Sequence, residues 1–196
     1  MRITGGLARG RILMSPKGVN IRPTSDKVRE AIFNIIGQDL SGMRVLDLFA
    51  GTGSLGIESL SRGAANVVFV DGSAQSISLI KRNLALCGFR DCWTVIRRDL
   101  KRGFPGRESV QVKRYDLVFL DPPYGKGLLP VLLDGFSSGY ILSPGARVVA
   151  ELSKGEILPD SFGNLEMLGS RIYGDTMLNI YEHTCRYKVG KDIGLN

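Results

Sequence analysis

Short unbroken apolar runs alternate along this chain with longer stretches whose apolar positions recur every three to four residues. Val45, Leu46, Leu48 and Phe49 form the first run, interrupted only by Asp47, and Val67-Val68-Phe69-Val70 forms the second. Trp93-Thr94-Val95-Ile96, residues 115–120 and residues 146–152 are the third, fourth and fifth. Runs this short and this continuous read as strands buried on both faces. The stretches between them are helical in period. Val28, Ala31, Ile32, Ile35 and Ile36 make one stripe, opened by the start signals Pro23-Thr24-Ser25-Asp26 and closed at Gly37. Leu55, Ile57 and Leu60 begin a second that closes near Arg62-Gly63. A third covers residues 73–86, and a fourth lies around residues 128–136. Residues 171–173 and 176–181 flank Gly174-Asp175 and predict a closing hairpin. Alternating strand and helix, then a hairpin, predicts an α/β fold: a doubly wound, mainly parallel sheet with an antiparallel edge.

The first run leads directly into Gly51-Thr52-Gly53-Ser54-Leu55-Gly56, which satisfies G-x-G-x-x-G. Between a strand and a helix, such a turn lets the backbone approach a ligand and aims helix N-terminal amides at it. The second run ends at Asp71, 20 residues past Gly51, the spacing at which nucleotide folds place a carboxylate on ribose hydroxyls. The alternative is an Asp that caps the next helix, because Gly72-Ser73 follows. In open α/β sheets ligands bind beyond the carboxyl ends of the strands. Asp47, Asp71, Asp99 and Asp121 all stand at or near such ends. Four acids on one rim are costly unless partners are supplied. Ribose hydroxyls, an exocyclic amine and an ammonium supply them, whereas phosphates do not. S-adenosylmethionine, with adenine, ribose and a methionine tail, meets that description.

The fourth run ends in Asp121-Pro122-Pro123-Tyr124. Two consecutive prolines fix the backbone and remove two amide donors, leaving carbonyls as acceptors in a rigid turn. The Asp121 carboxylate and the Pro122 carbonyl suit the two hydrogens of an exocyclic amine. Tyr124 offers a ring for a base taken out of its stack, an interaction worth roughly 1–3 kcal/mol.

Composition narrows the setting. The 196 residues are 43% hydrophobic and 23% charged, the balance of one ordinary globular domain. No apolar run approaches the ~18 residues that span a membrane, and the first residues lack the apolar core of a signal peptide. Cys87, Cys92 and Cys185 are odd in number and form no C-x-x-C, so no disulfide framework or zinc site is expected. A cytoplasmic protein with reduced thiols is the simplest account. The net charge of +7 suits an anionic partner, nucleic acid above all. Much of it gathers at the start: Arg2, Arg9, Arg11, Lys17 and Arg22 are basic, and no acid precedes Asp26. Residues 1–24 are expected to form a basic hairpin or arm outside the main sheet, placed to touch phosphate; a solvated terminus is the alternative. Residues 25–190 then make the main domain and 191–196 a tail.

These motifs together resemble the S-adenosylmethionine-dependent amino methyltransferases. They are closer still to the bacterial 16S ribosomal RNA guanine-N2 methyltransferase family. Arg22-Pro23-Thr24, Val28-Arg29-Glu30 and Phe33-Asn34 resemble its R-P-T…V-R-E…F-N block. Residues 47–58 resemble its cofactor loop, Leu120-Asp121-Pro122-Pro123-Tyr124 its catalytic segment, and Tyr173-Gly174-Asp175-Thr176 with Tyr181 its closing hairpin. One departure is Asp71, one bond shorter than the family's Glu.

The resemblance implies a Rossmann-like class I methyltransferase fold with a seven-stranded sheet and a short N-terminal hairpin. It implies a monomeric cytoplasmic enzyme that methylates N2 of one guanine in 16S ribosomal RNA, within a small-subunit assembly particle. By the same token Asp121, Pro122, Pro123 and Tyr124 are catalytic. Asp47, Phe49, Ala50, Gly51, Thr52, Gly53, Gly56, Asp71, Asp99 and Leu100 hold the cofactor, and Arg9, Arg11, Lys17, Arg22 and Thr24 meet RNA. No metal is implied. The rival readings are a DNA adenine-N6 or cytosine-N4 methyltransferase, a nicotinamide-dependent oxidoreductase and a non-catalytic RNA-binding module.

Overall fold

The computed structural model describes residues 1–15, 26–102, 114–137 and 140–184. Strands β1 (Arg44–Leu48), β2 (Asn66–Asp71), β3 (Trp93–Arg97), β4 (Tyr115–Leu120) and β5 (Leu142–Ser153) lie parallel in one sheet. Strands β6 (Ser161–Phe162), β7 (Leu165–Tyr173) and β8 (Thr176–His183) join it by antiparallel pairing, giving the order β3-β2-β1-β4-β5-β8-β7-β6. The class expected from the sequence is the one observed. Its eighth strand, β6, is two residues long, too short to leave an apolar run. Because β1 is flanked by β2 on one side and β4 on the other, the winding reverses there. The loops after β1 and β4 diverge at that point, and a crevice opens between them.

Helices α1 (Asp26–Ile36), α2 (Ser54–Ser61), α3 (Ala74–Cys87) and α4 (Leu128–Ser137) cover the sheet. Strand residues alternate between the two faces. Val45, Val67, Phe69, Leu117, Phe119 and Val149 share a core with the apolar sides of α1, α2 and α3. Leu46, Leu48, Val68, Val70, Val118, Leu120, Val148 and Ala150 share one with α4. Both faces are apolar, so these strands show no hydrophobic–polar alternation. The same alternation sends Asp47 to the α2 side, a consequence that matters below.

Residues 1–13 form the N-terminal hairpin, bridged at Arg2 and Ile12 and closed by Ile3 N–H to Arg11 C=O at 2.9 Å. Ile3, Ala8 and Leu13 are buried in the α1–α3 core, so the hairpin is seated rather than free. Its closeness needs glycine: a Cβ on Gly5 would lie 2.5 Å from the Arg62 guanidinium, and Gly6 has φ +73° against the Ser61 carbonyl.

Buried Glu58 of α2 locks the hairpin down. Its carboxylate accepts from Thr4 N (2.8 Å), Thr4 Oγ1 (2.8 Å), Gly5 N (2.7 Å), Arg62 Nη2 (2.8 Å) and Arg29 Nε (3.3 Å). Arg29, on the otherwise apolar side of α1, also donates to the Arg2 carbonyl. A buried carboxylate surrounded by two guanidiniums and three neutral donors has its charge answered.

Candidate active site

The glycine loop is braced from below by the acids that the sequence assigned to its ligand. Asp47 Oδ2 accepts from Gly56 N at 3.0 Å, and Asp71 Oδ2 accepts from Gly51 N at 2.9 Å. The other Asp71 oxygen accepts from Ser73 N at 2.8 Å, at the start of α3. Asp71 therefore ties down the next helix while still facing the crevice. Gly56 packs against β2, where a Cβ would lie 2.2 Å from the Phe69 ring, so α2 approaches the strand as closely as a helix can. Phe49 turns the chain out of β1 at φ +60°, a left-handed conformation unusual for a large residue. Burial pushes the Asp47 carboxyl up to about 7, against the hydrogen bond from Gly56 and helped by the charge of Asp71.

Across the crevice, β4 delivers Asp121-Pro122-Pro123-Tyr124. The Tyr124 phenol donates to Glu151 Oε1 at 2.9 Å and lies 3.3 Å from Thr176 Oγ1. Burial and the charges of Glu151 and Asp121 push its pKa up to about 12, while the Thr176 bond works the other way. The phenol therefore stays a neutral donor, and its ring is held at the mouth of the site, 37% exposed.

Between the two loops lies a cleft of about 940 Å³, within the size range of small-molecule sites. Asp121, Pro122, Pro123 and Tyr124 all line it, as do Phe49, Ala50, Gly51, Thr52, Asp71, Asp99 and Leu100. Asp47, Gly53 and Gly56 do not: Asp47 lies beneath the loop, and the two glycines face the core side, toward Ile80 and Phe69. Arg9 and Arg11 are exposed on the N-terminal hairpin. Lys17, Arg22 and Thr24 fall outside the described residues, as does the 191–196 tail.

Two groups escaped the sequence reading. Glu151 is an acid at the end of β5, and the strand-end rule applied to the other four would have found it. Buried Asn83 had no such signal: it accepts from Met14 N (2.8 Å) and donates to the Thr52 carbonyl (2.9 Å), tying the hairpin to the cofactor loop.

The donor set indicates what fits. The Gly51 and Gly56 amides are answered by Asp71 and Asp47, so they are not left for a phosphate. Among the described residues the lining carries four acids, Asp71, Asp99, Asp121 and Glu151, and two bases, Arg97 and Lys101. A nucleoside-sized ligand that carries positive charge and hydroxyls suits such a wall.

Comparison with known proteins agrees. The family described as Conserved hypothetical protein 95 matches residues 1–182. YlbH of Bacillus subtilis is 38% identical over 182 residues, covering 93% of this chain and 98% of that protein. Ribosomal RNA small subunit methyltransferase D of Escherichia coli is 32% identical over 187 residues, covering 93% and 89%. The solved structure of yhhF from Escherichia coli superposes with a TM-score of 0.81 at 27% identity, over 94% of this chain and 98% of that one.

Proposed function

The chain belongs to the Conserved hypothetical protein 95 family, and on that premise we propose that it methylates the exocyclic N2 amine of a guanine in small-subunit ribosomal RNA. Membership and likeness carry the coarser assignment: this is an S-adenosylmethionine-dependent ribosomal RNA methyltransferase of the kind represented by small subunit methyltransferase D. The observation that carries the finer reading is the cleft itself. It sets an acceptor pair, Asp121 and Pro122, and an anchored aromatic ring opposite a glycine loop that offers no phosphate site.

When bound, S-adenosylmethionine supplies an electrophilic methyl on a positive sulfur. The chain's own groups position its partner. Asp71 would accept from its ribose hydroxyls, and Phe49 and Leu100 would give it apolar walls. Asp121 and the Pro122 carbonyl accept the two amine hydrogens, which fixes the direction of the nitrogen lone pair. Tyr124 carries the base plane. Holding two reactants in line supplies ~7–11 kcal/mol of barrier lowering, enough to make positioning the main task. Carboxylates as a class are weak bases at neutral pH, so Asp121 acts by orienting the amine rather than by taking its proton early. Exposed Arg9 and Arg11, with Lys17, Arg22 and Thr24, meet the RNA backbone, and the enzyme works as a monomer on a small-subunit assembly particle.

Calorimetric titration tests the cofactor and class together. S-adenosylmethionine is expected to bind and NAD to give no heat, with labelled methyl entering ribosomal RNA and not DNA. Binding of NAD alone would restore the oxidoreductase reading, and label only in DNA would move the target to that polymer.

A further inference from the structure

Glu151 is 7% exposed, lines the cleft, and accepts the Tyr124 hydroxyl at 2.9 Å. Its position is informative. Strands β4 and β5 run parallel with Leu120 opposite Ala150, so Asp121, just past β4, and Glu151, still within β5, come next in register on adjacent strands. Both line the cleft, and both act on the Tyr124 hydroxyl between the loops. By register Asp121 and Glu151 are thus neighbours along the wall of the cleft, where the proposed function holds the base amine.

The chemistry of base edges gives this pair a meaning. In guanine the exocyclic amine is flanked by a ring N1–H, a second donor. In adenine and cytosine the amine is flanked by a ring nitrogen lone pair. A carboxylate next to the amine acceptor welcomes the first and repels the others. We propose that Glu151 is the specificity residue of this site, its carboxylate accepting the N1–H of the target guanine while Asp121 and Pro122 hold the N2 amine. The proposal rests on the amine-methylation reading above and explains why guanine, rather than another amine-bearing base, is chosen. A site built around a hydrogen bond to its substrate rejects the analogue that lacks the donor, because the buried acceptor is then left unpaired.

The test uses small-subunit RNA whose methylated guanine has been mapped by digestion, with 2-aminopurine ligated at that position. This base keeps the N2 amine but carries a lone pair at N1. Wild-type enzyme is expected to lose roughly 10- to 100-fold in kcat/KM on it, the scale of a hydrogen bond to a charged group. Glu151→Gln, whose amide offers either a donor or an acceptor, is expected to bring the two substrates within a few-fold of each other. Tyr124→Phe is expected to slow both and keep the preference, which separates anchoring from reading. S-adenosylmethionine affinity, measured alongside, reports that each variant is folded. Equal loss on both substrates in Glu151→Gln, or no preference in wild type, would overturn the assignment. Wild-type methylation of neither base, or recovery of N6-methyladenosine instead, would overturn the guanine-N2 reading and this proposal with it.

Discussion

Asp121 and Asp47 are both strand-end aspartates, one opening a proline turn and the other just ahead of a glycine loop, yet the fold gives them opposite work. Asp121 faces the cleft. Asp121→Ala is expected to lower kcat by roughly 100-fold or more, the cost of a misplaced reactant, while S-adenosylmethionine affinity measured by calorimetry changes little. Equal losses in both would remove the amine-holding role. Asp47 is buried under α2 and is a structural acid. Its carboxyl is raised from 3.8 to about 7 in the fold. Between those values the folded state binds the extra proton and the unfolded state does not, so stability falls as pH rises from about 4 to about 7. Asp47→Asn is expected to flatten that slope in denaturation series across the same window. An unchanged slope would place the titration elsewhere. The sequence shows both acids equally well. What it does not show is the face each points to, and that depends on the β1 register, which sends odd positions toward α2.

At the level of elements, the strands and the glycine turn were legible because nothing competes with them. Both sheet faces are covered, so each strand is a plain apolar run, and the turn is spelled by its glycines. The seat of the N-terminal hairpin was not legible. Arg29 stands inside an apolar helical stripe, and its partner Glu58 lies 29 positions away, so no local period connects them. Local reading makes the stripe simple core; the structure makes it core around one buried cation. Removing Glu58 strands Arg29 and Arg62 together. Glu58→Ala is expected to cost about 3–5 kcal/mol in chemical denaturation, and a loss under about 1 kcal/mol, the scale of a surface pair, would contradict the network. The hairpin's outward side carries the RNA reading. Neutralising Arg9 and Arg11 is expected to flatten the salt dependence of RNA binding by roughly 0.7–0.9 for each phosphate the hairpin no longer neutralises. An unchanged slope would make the hairpin purely structural. Asn83 connects these roles, since it ties Met14 to the Thr52 carbonyl of the cofactor loop.

For the whole molecule, one topological fact organises the chemistry. Reversal of the winding at β1 places the glycine loop and the Asp121 turn on opposite walls of one cleft, with acids from four parallel strands along its rim. Family membership and the donor set both lead to a methyl donor without phosphate. Among the described residues no helix is long and apolar enough to cross a membrane. The central claim is the target atom. It is tested most directly by transferring labelled methyl from S-adenosylmethionine to small-subunit RNA, free and as ribonucleoprotein, from cells lacking this enzyme, then digesting to nucleosides. Label in N2-methylguanosine is the predicted result, and label confined to any other nucleoside would contradict it.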